Sequence, residues 1–472
     1  MDAIIGFLNT IFWGYVLIYG LLAVGIYFTV RLGFIQIVHF TEMFRVLKSS
    51  ETEDKAGISP FQALTVSLAS RVGTGNLAGV AVALYLGGPG ATFWMWMVAL
   101  VGMATAYSES ALAQLYKIKN EEGQYRGGPA FYIAHGLGAP WAGALFSVCL
   151  ILSFGLVFNA VQANSIADAM QGAFGIPKIW VGVAVAALSG VVIFGGIKQI
   201  ARVAEIVVPF MAAAYLLMAI WVLITHASDV PGIVGTIVAS AFGWQEAAGG
   251  VTGGIMAAML NGVKRGLFSN EAGMGSAPNI AAVATPDPHH PSSQGFVQAL
   301  GVFIDTILIC TATSVMILLS GTLVPDSGVT GTQLTQAAMN AHIGTAGTYF
   351  IAIAIFFFAF TSIIGNYSYA ENALTFLGVG NRTGLTVMRL AVLLMVVWGA
   401  YESVATVFDA ADASMGLMAT INLIAILLLS GTVGKLTKDY FDQRKAGKVP
   451  TFHAADYPEL KGKIDGDIWS RG

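Results

Sequence analysis

Residues Ser70-Arg71-Val72-Gly73-Thr74-Gly75-Asn76 interrupt an apolar stretch long enough to cross a bilayer. Two glycines, a threonine, an arginine and an asparagine are not what a continuous membrane helix would use. Backbone at lipid depth leaves its helical hydrogen bonds only where it lines a polar cavity, so the interruption predicts a ligand site. A second interruption, Ser269-Asn270-Glu271-Ala272-Gly273-Met274-Gly275-Ser276, lies in the other half of the chain. Two broken segments at matching places are the mark of a secondary transporter built on an inverted repeat.

The remaining composition agrees with a polytopic membrane protein. Of the 472 residues, 56% are hydrophobic and 10% charged, against about a quarter charged in soluble domains. The first cation is Arg31, so the apolar start lacks a signal peptide's basic end and is read as retained. Cys149 and Cys310 sit in separate apolar segments and are expected as buried thiols. At about 20 residues per span, segments fall near 10–30, 60–86, 91–116, 141–172, 178–197, 203–225, 264–285, 295–322, 347–377, 384–402 and 405–433. The expected fold is therefore an all-α membrane protein of eleven transmembrane helices. The glycine- and alanine-rich stretch 231–262 decides the parity, because it could hold short surface helices or one more span.

Basic residues arbitrate. With the N-terminus outside, Arg31, Arg45, Lys48, Lys55, Lys117, Lys119, Arg126, Lys198, Arg202, Arg382, Arg389 and the tail from Lys435 to Arg471 all face inward, as cytoplasmic loops do. A twelfth span would turn the basic tail outward. The expected organisation is an extra N-terminal helix (1–33), a cytoplasmic interfacial helix and loop (34–59), a first five-helix repeat (60–228), an extracellular loop with short helices (229–262), a second repeat (263–433) and a solvated cytoplasmic tail (434–472). Each repeat opens with a broken helix, which places the site where the breaks meet.

At the first break Gly73 and Gly75 let the backbone turn without a side-chain clash. Freed amides suit a carboxylate, and the half-helix starting near Leu77 aims its positive end at such an anion. Carbonyls near Ala69 and Val72 suit a hard cation such as Na+. Asp305, Glu271 and Arg71 are ionisable groups in otherwise apolar spans, a pattern that is functional or mutually paired. Asp305 could tune ion coupling, pair with Arg71 or cap freed amides; Glu271 is expected to satisfy backbone donors at its break. His289 and His290 lie in a proline-rich turn without a third metal ligand.

The run Val72-Gly73-Thr74-Gly75-Asn76-Leu77-Ala78-Gly79, with Gly266-Leu267-Phe268-Ser269-Asn270-Glu271-Ala272-Gly273-Met274-Gly275-Ser276-Ala277-Pro278, resembles the signature of the alanine or glycine:cation symporter family. Gly87-Gly88-Pro89-Gly90-Ala91, Gly127-Gly128-Pro129 and Phe303-Ile304-Asp305-Thr306 extend the resemblance along the chain. It implies a LeuT-like five-plus-five core and Na+-driven uptake of a small neutral amino acid, alanine, glycine or glutamine, across a bacterial or archaeal cytoplasmic membrane. No organic cofactor and no nucleic-acid partner are implied. Carried over, the substrate site would use Thr74, Gly75, Asn76, Gln162, Phe268, Asn270, Gly273 and Met274. The Na+ site would join Ala69 and Val72 to Phe358, Thr361 and Ser362. Many alanine-type members have tryptophan where this chain has Asn366, which implies a roomier, more polar pocket and makes glutamine a serious substrate.

A secondary transporter rather than an enzyme is thus expected, since no phosphate-binding loop, zinc cluster or hydrolase triad appears. The nearest alternative is a proton-coupled amino-acid permease of the same fold, titrating Asp305 or Glu271. A membrane-embedded enzyme or a channel stands further off, without a positive motif.

Overall fold

The computed structural model describes residues 2–47, 56–243, 252–325 and 327–470. Among the described residues, eight helices are long and apolar enough to cross a membrane: Ile4–Arg31, Gly90–Leu115, Pro140–Phe174, Gly196–Thr225, Pro291–Ser320, Thr345–Phe376, Arg382–Tyr401 and Val404–Leu428. Lys178–Ile193 and Val230–Ala241 are shorter apolar helices. The other two expected spans are the interrupted ones.

The first of these starts with a capping box. Ser59 Oγ accepts from the Gln62 amide at 3.1 Å, the Gln62 side chain accepts from the Ser59 amide at 3.2 Å, and Pro60 occupies the first turn. The helix Pro60–Arg71 ends at Val72, whose ψ of 86° turns its carbonyl out of helical register. After Gly73 and Thr74, Gly75–Gly87 resumes. The second interrupted span begins at Thr252 and runs to Asn270, about three turns earlier than the expected 264, with Pro278–Val283 as its other half. Its glycine-rich entry (Gly253, Gly254) reads as loop on composition, yet it is helix here; further along, the helix packs closely, for a Cβ on Gly262 would meet the Ala91 carbonyl at 2.4 Å. Residues 244–251 of the expected outer loop, like Lys48 and Lys55 of the expected inner one, lie outside the described residues.

The amphipathic stretch after Arg31 forms two short helices, Ile35–Val38 and Phe40–Arg45. Its buried Glu42 accepts from Tyr440 at 2.8 Å and pairs with Arg45 and Arg444, which fastens it to the polar helix Ser430–Lys445. The chain after that helix departs from the solvated tail expected from its charge. Trp469 is fully buried and donates to the Leu115 carbonyl at 3.2 Å, while Phe452, also buried, takes its place beside His289 and His290 through a Phe452 amide to His289 carbonyl bond of 2.9 Å. Burial of these two aromatics outweighs the segment's surface charges in deciding where it lies.

Candidate functional site

The two breaks meet. A Cβ on Gly75 would stand 3.0 Å from the Phe268 ring and 3.2 Å from Ser269 Cα, so any larger residue would push the two breaks apart by a few tenths of an ångström. Asp305, from Pro291–Ser320, brackets both: Oδ1 accepts from Asn76 Nδ2 at 2.7 Å and Oδ2 from Ser269 Oγ at 2.8 Å, with Thr306 as a third donor at 2.7 Å. The Cys310 thiol completes this polar knot, 3.3 Å from Asn76 Nδ2 and 3.1 Å from Ser269 Oγ, rather than packing as a plain hydrophobe. Asp305 is not in contact with Arg71, whose described bond goes to the Gln298 carbonyl at 3.1 Å.

Within the first break the chain supplies its own acceptors. Asn76 Oδ1 accepts from the Gly73 amide and Gln162 Oε1 from the Thr74 amide, both at 2.9 Å; Thr74 Oγ1 adds a 2.7 Å bond to Gln162. A backbone amide can only donate, so the Gln162 atom facing Thr74 is the oxygen and its remaining capacity is a pair of N–H donors. Two of the amides expected to greet a carboxylate are thus already occupied, and Gln162 is oriented as a donor instead.

The oxygens of the expected cation site gather on the other side of Gly73. Ser362 Oγ donates to the Ala69 carbonyl and the Phe358 carbonyl, both at 2.9 Å, and Thr361 Oγ1 reaches the Phe358 carbonyl at 2.9 Å. Both hydroxyls therefore back-bond to their own helix, and Ser362 also reaches across to the first break. No described bond brings Val72 into this group; its backbone turn is the feature that frees its carbonyl. Gly73 separates the two clusters, since a Cβ there would lie 2.3 Å from Ser362 Oγ and 2.7 Å from Gln162 Oε1.

The second break is longer and held from outside. Glu271 (φ 60°), Gly273 (φ 84°) and Gly275 (φ 83°) adopt left-handed backbone, and a side chain at Gly275 would strike Phe146 and Asn422. Glu271 accepts from the hydroxyls of Ser70 (2.8 Å) and Ser276 (2.5 Å) rather than from backbone. Backbone donors at this break fall to Glu109, which sequence reasoning passed over: it accepts from the Gly273 amide at 3.1 Å and from Asn422 Nδ2 at 2.7 Å, while Asn422 also holds the Gly273 carbonyl at 3.0 Å. Asn270 Oδ1 caps the Ala272 amide at 3.0 Å; Met274 is fully buried. Glu109 is the lone acid in an apolar span, the same signal that drew attention to Asp305.

Asn366 is engaged behind the breaks. It accepts from Ser70 Oγ at 2.6 Å and donates to Asn159 Oδ1 at 3.1 Å. The substitution places a polar link between three helices, and Asn159 is its unforeseen partner.

At the end of the bundle carrying Asp168 and Val404, a cavity of about 230 Å³ is lined by Asn164, Ser165, Thr332 and Phe408. Phe408 packs 5.7 Å from Phe268, which stacks on Phe158 at 4.7 Å, so aromatic rings separate this cavity from Gly75. Arg265 and Lys264 pair with buried Asp412 at 2.5 and 2.6 Å beside the same rings. Both cations lie well inside the helix Thr252–Asn270.

Across residues 1–454 the chain matches the family model described as the sodium:alanine symporter family. This protein belongs to that family. It is 49% identical over 460 residues to the amino-acid carrier protein AlsT of Bacillus subtilis, covering 98% of this chain and 96% of that one. It is 47% identical over 454 residues (96% and 93% covered) to a protein of the same species named as the probable sodium/glutamine symporter GlnT. Among solved structures it resembles MhsT in complex with L-phenylalanine, with a TM-score of 0.57 over 80% of this chain and 89% of that one at 14% identity. That likeness gives the sodium:alanine symporter chain a LeuT-like fold, and membership makes it a Na+-coupled secondary transporter, not an enzyme.

Proposed function

We propose that this sodium:alanine symporter family member moves a small neutral amino acid, alanine or glutamine, together with Na+ into the cell by alternating access between two five-helix repeats. Eleven crossings follow if the two broken helices and Lys178–Ile193 join the eight long ones, with the N-terminus outside and the tail in the cytoplasm. The observation that carries the reading is the meeting of the two breaks at Gly75, with Asp305 bonded to both. The substrate carboxylate is assigned to the donors of Gln162 and the first-break backbone, and its side chain to Phe268, Gly273 and Met274. Na+ is assigned to the carbonyls of Ala69, Val72 and Phe358 with the hydroxyls of Thr361 and Ser362, oxygens of the kind a hard cation takes. A name in sodium/glutamine transport among near relatives and the polar Asn366 both favour glutamine beside alanine.

Coupling requires that ion and substrate together stabilise the closed state more than either alone. Proteoliposome uptake of labelled alanine and glutamine tests this, with an inward Na+ gradient and with Na+ replaced by choline at fixed pH. Uptake that follows Na+ is expected. Equal uptake in choline, or a response to a pH gradient alone, would reject Na+ coupling.

A further inference from the structure

Arg71 ends the inner half of the first broken helix at 2% exposure, yet its Nε and Nη2 have no hydrogen-bond partner among the described residues. The same holds for both polar atoms of Gln294 and both of Gln298, and each of these side chains is fully buried. Buried polar groups are ordinarily satisfied, and an unpaired guanidinium is among the costliest exceptions.

These groups share one place. Gln294, Gln298 and Gly301 are spaced i, i+4, i+7 and so lie along one helix face. Gly301 shows where that face points: a Cβ there would sit 2.3 Å from Arg71 Nη1 and 3.5 Å from Leu64, both on Pro60–Arg71. The Gln298 carbonyl accepts from Arg71 Nη1 at 3.1 Å. A polar stripe therefore runs from near the Pro291 end of its helix up to the first break, pressed against the inner half-helix. Counter-charge accounts for part of Arg71, whose field reaches Glu109, Glu271 and Asp305. It does not account for the free N–H groups or for two glutamines whose side-chain amides have no partner among the described residues.

We propose that Arg71, Gln298 and Gln294 form an anion-binding way station beneath the first break, opened when the inner half-helix swings away. The ligand is a small monovalent anion bound by guanidinium and carboxamide N–H donors. Its source is either the carboxylate of the amino acid leaving the central site or chloride from the medium. The inference rests on the symport reading above.

The test uses the full chain in proteoliposomes, with alanine and glutamine as probes, in chloride and in gluconate, for wild type, Arg71→Gln and the pair Gln294→Leu with Gln298→Leu. For a departing carboxylate, wild type is indifferent to chloride, while both variants keep Na+-dependent substrate binding within threefold and lose tenfold or more in net uptake. For chloride, wild-type uptake falls at least tenfold in gluconate and the double leucine variant loses that dependence. Leucines in place of unpaired amides raise melting temperature if the site is merely structural, and transport within twofold of wild type in both media would overturn the proposal. The double variant decides even where Arg71→Gln does not fold. Failure of wild type to take up either amino acid with Na+ would instead reject the symport reading.

Discussion

The two breaks solve one problem by different means. The first is short and closes on side chains close at hand: Asn76 and Gln162 take the amides of Gly73 and Thr74. The second spans residues 271–277, contains three left-handed residues, and is clamped from other helices by Glu109 and Asn422, which grip the amide and carbonyl of Gly273. A short break kept by flexible carboxamides can exchange those bonds for a ligand's. A long break kept by a buried carboxylate is a fixed wall against which such an exchange takes place. In the proposed transport cycle the first is accordingly the ligand-responsive element and the second the scaffold.

Asp305 joins the two, so its loss should have the largest effect. Asp305→Ala leaves Asn76, Ser269 and Thr306 donors buried without their acceptor, at about 1–3 kcal/mol each. Transport should fall roughly a hundredfold or more, with a lower melting temperature in detergent. Near-normal uptake would mean that the breaks are held together by packing alone.

Next comes Gly73→Ala, which touches only the first break. The added methyl must displace Ser362 Oγ and Gln162 Oε1 together, so Na+ affinity and substrate affinity should fall together, each by about tenfold for a ~1.4 kcal/mol perturbation. Isothermal calorimetry of alanine binding across a Na+ titration separates the two. A change in substrate affinity with unaltered Na+ dependence would show that the glycine does not lie between the sites.

Glu109→Gln addresses the second break alone. Asn422 cannot turn its amide to suit, because its Nδ2 also bonds the Gly273 carbonyl and its Oδ1 accepts from Tyr132. Two N–H groups would then face each other. The expected result is a KM raised several-fold, on the order of 1 kcal/mol, with the Na+ dependence unchanged. A shift in Na+ dependence would instead place Glu109 in ion coupling and blur the division between responsive and fixed break.

Much of this was legible because a membrane helix has a simple grammar. Glycine and polar residues inside an apolar run marked Gly73 to Asn76 and Ser269 to Ser276, and Asp305 stood out by charge. Partners were not legible, since period and composition say nothing of which helix faces which. Glu109 and Asp412 carried the same signal as Asp305 and went unread, while Asn159 and Asn422 are too ordinary in sequence to have been marked. The helix start at Thr252 was masked by Gly253 and Gly254, which composition alone reads as loop. Trp469 was hidden by the charged residues around it, which set the character of the tail but not its resting place.

The last and smallest effect concerns that tail, which lies away from both breaks yet is tied to the second one. Lys117 and Gln114 both donate to the Ala284 carbonyl at 2.9 Å, just after the half-helix Pro278–Val283, and Lys117 also sits over Tyr125 with Trp469 behind it. His290 sets the adjoining turn. Its Nδ1 accepts from the Ser292 amide at 3.1 Å, capping the following helix, so Nε2 carries the proton and donates to Asp439 at 3.2 Å. Burial pushes His290 below the usual histidine range, with Asp439 pulling the other way. A folded pKa below the unfolded value means that the docked tail prefers the neutral ring, so docking is intact above about pH 6.5 and weakens as pH falls below it. Protonation would also give Nδ1 a hydrogen and cost the cap, about 1 kcal/mol. Hydrogen exchange across residues 451–469 should therefore be slower at pH 7.5 than at pH 5.5 after correction for intrinsic rates, with His290→Asn, which keeps a capping oxygen and cannot titrate, flattening the difference. If protection is equal at both pH values in wild type, the tail is held by Trp469 and Phe452 alone, and the fixed half of the molecule has no proton-sensitive part at its base.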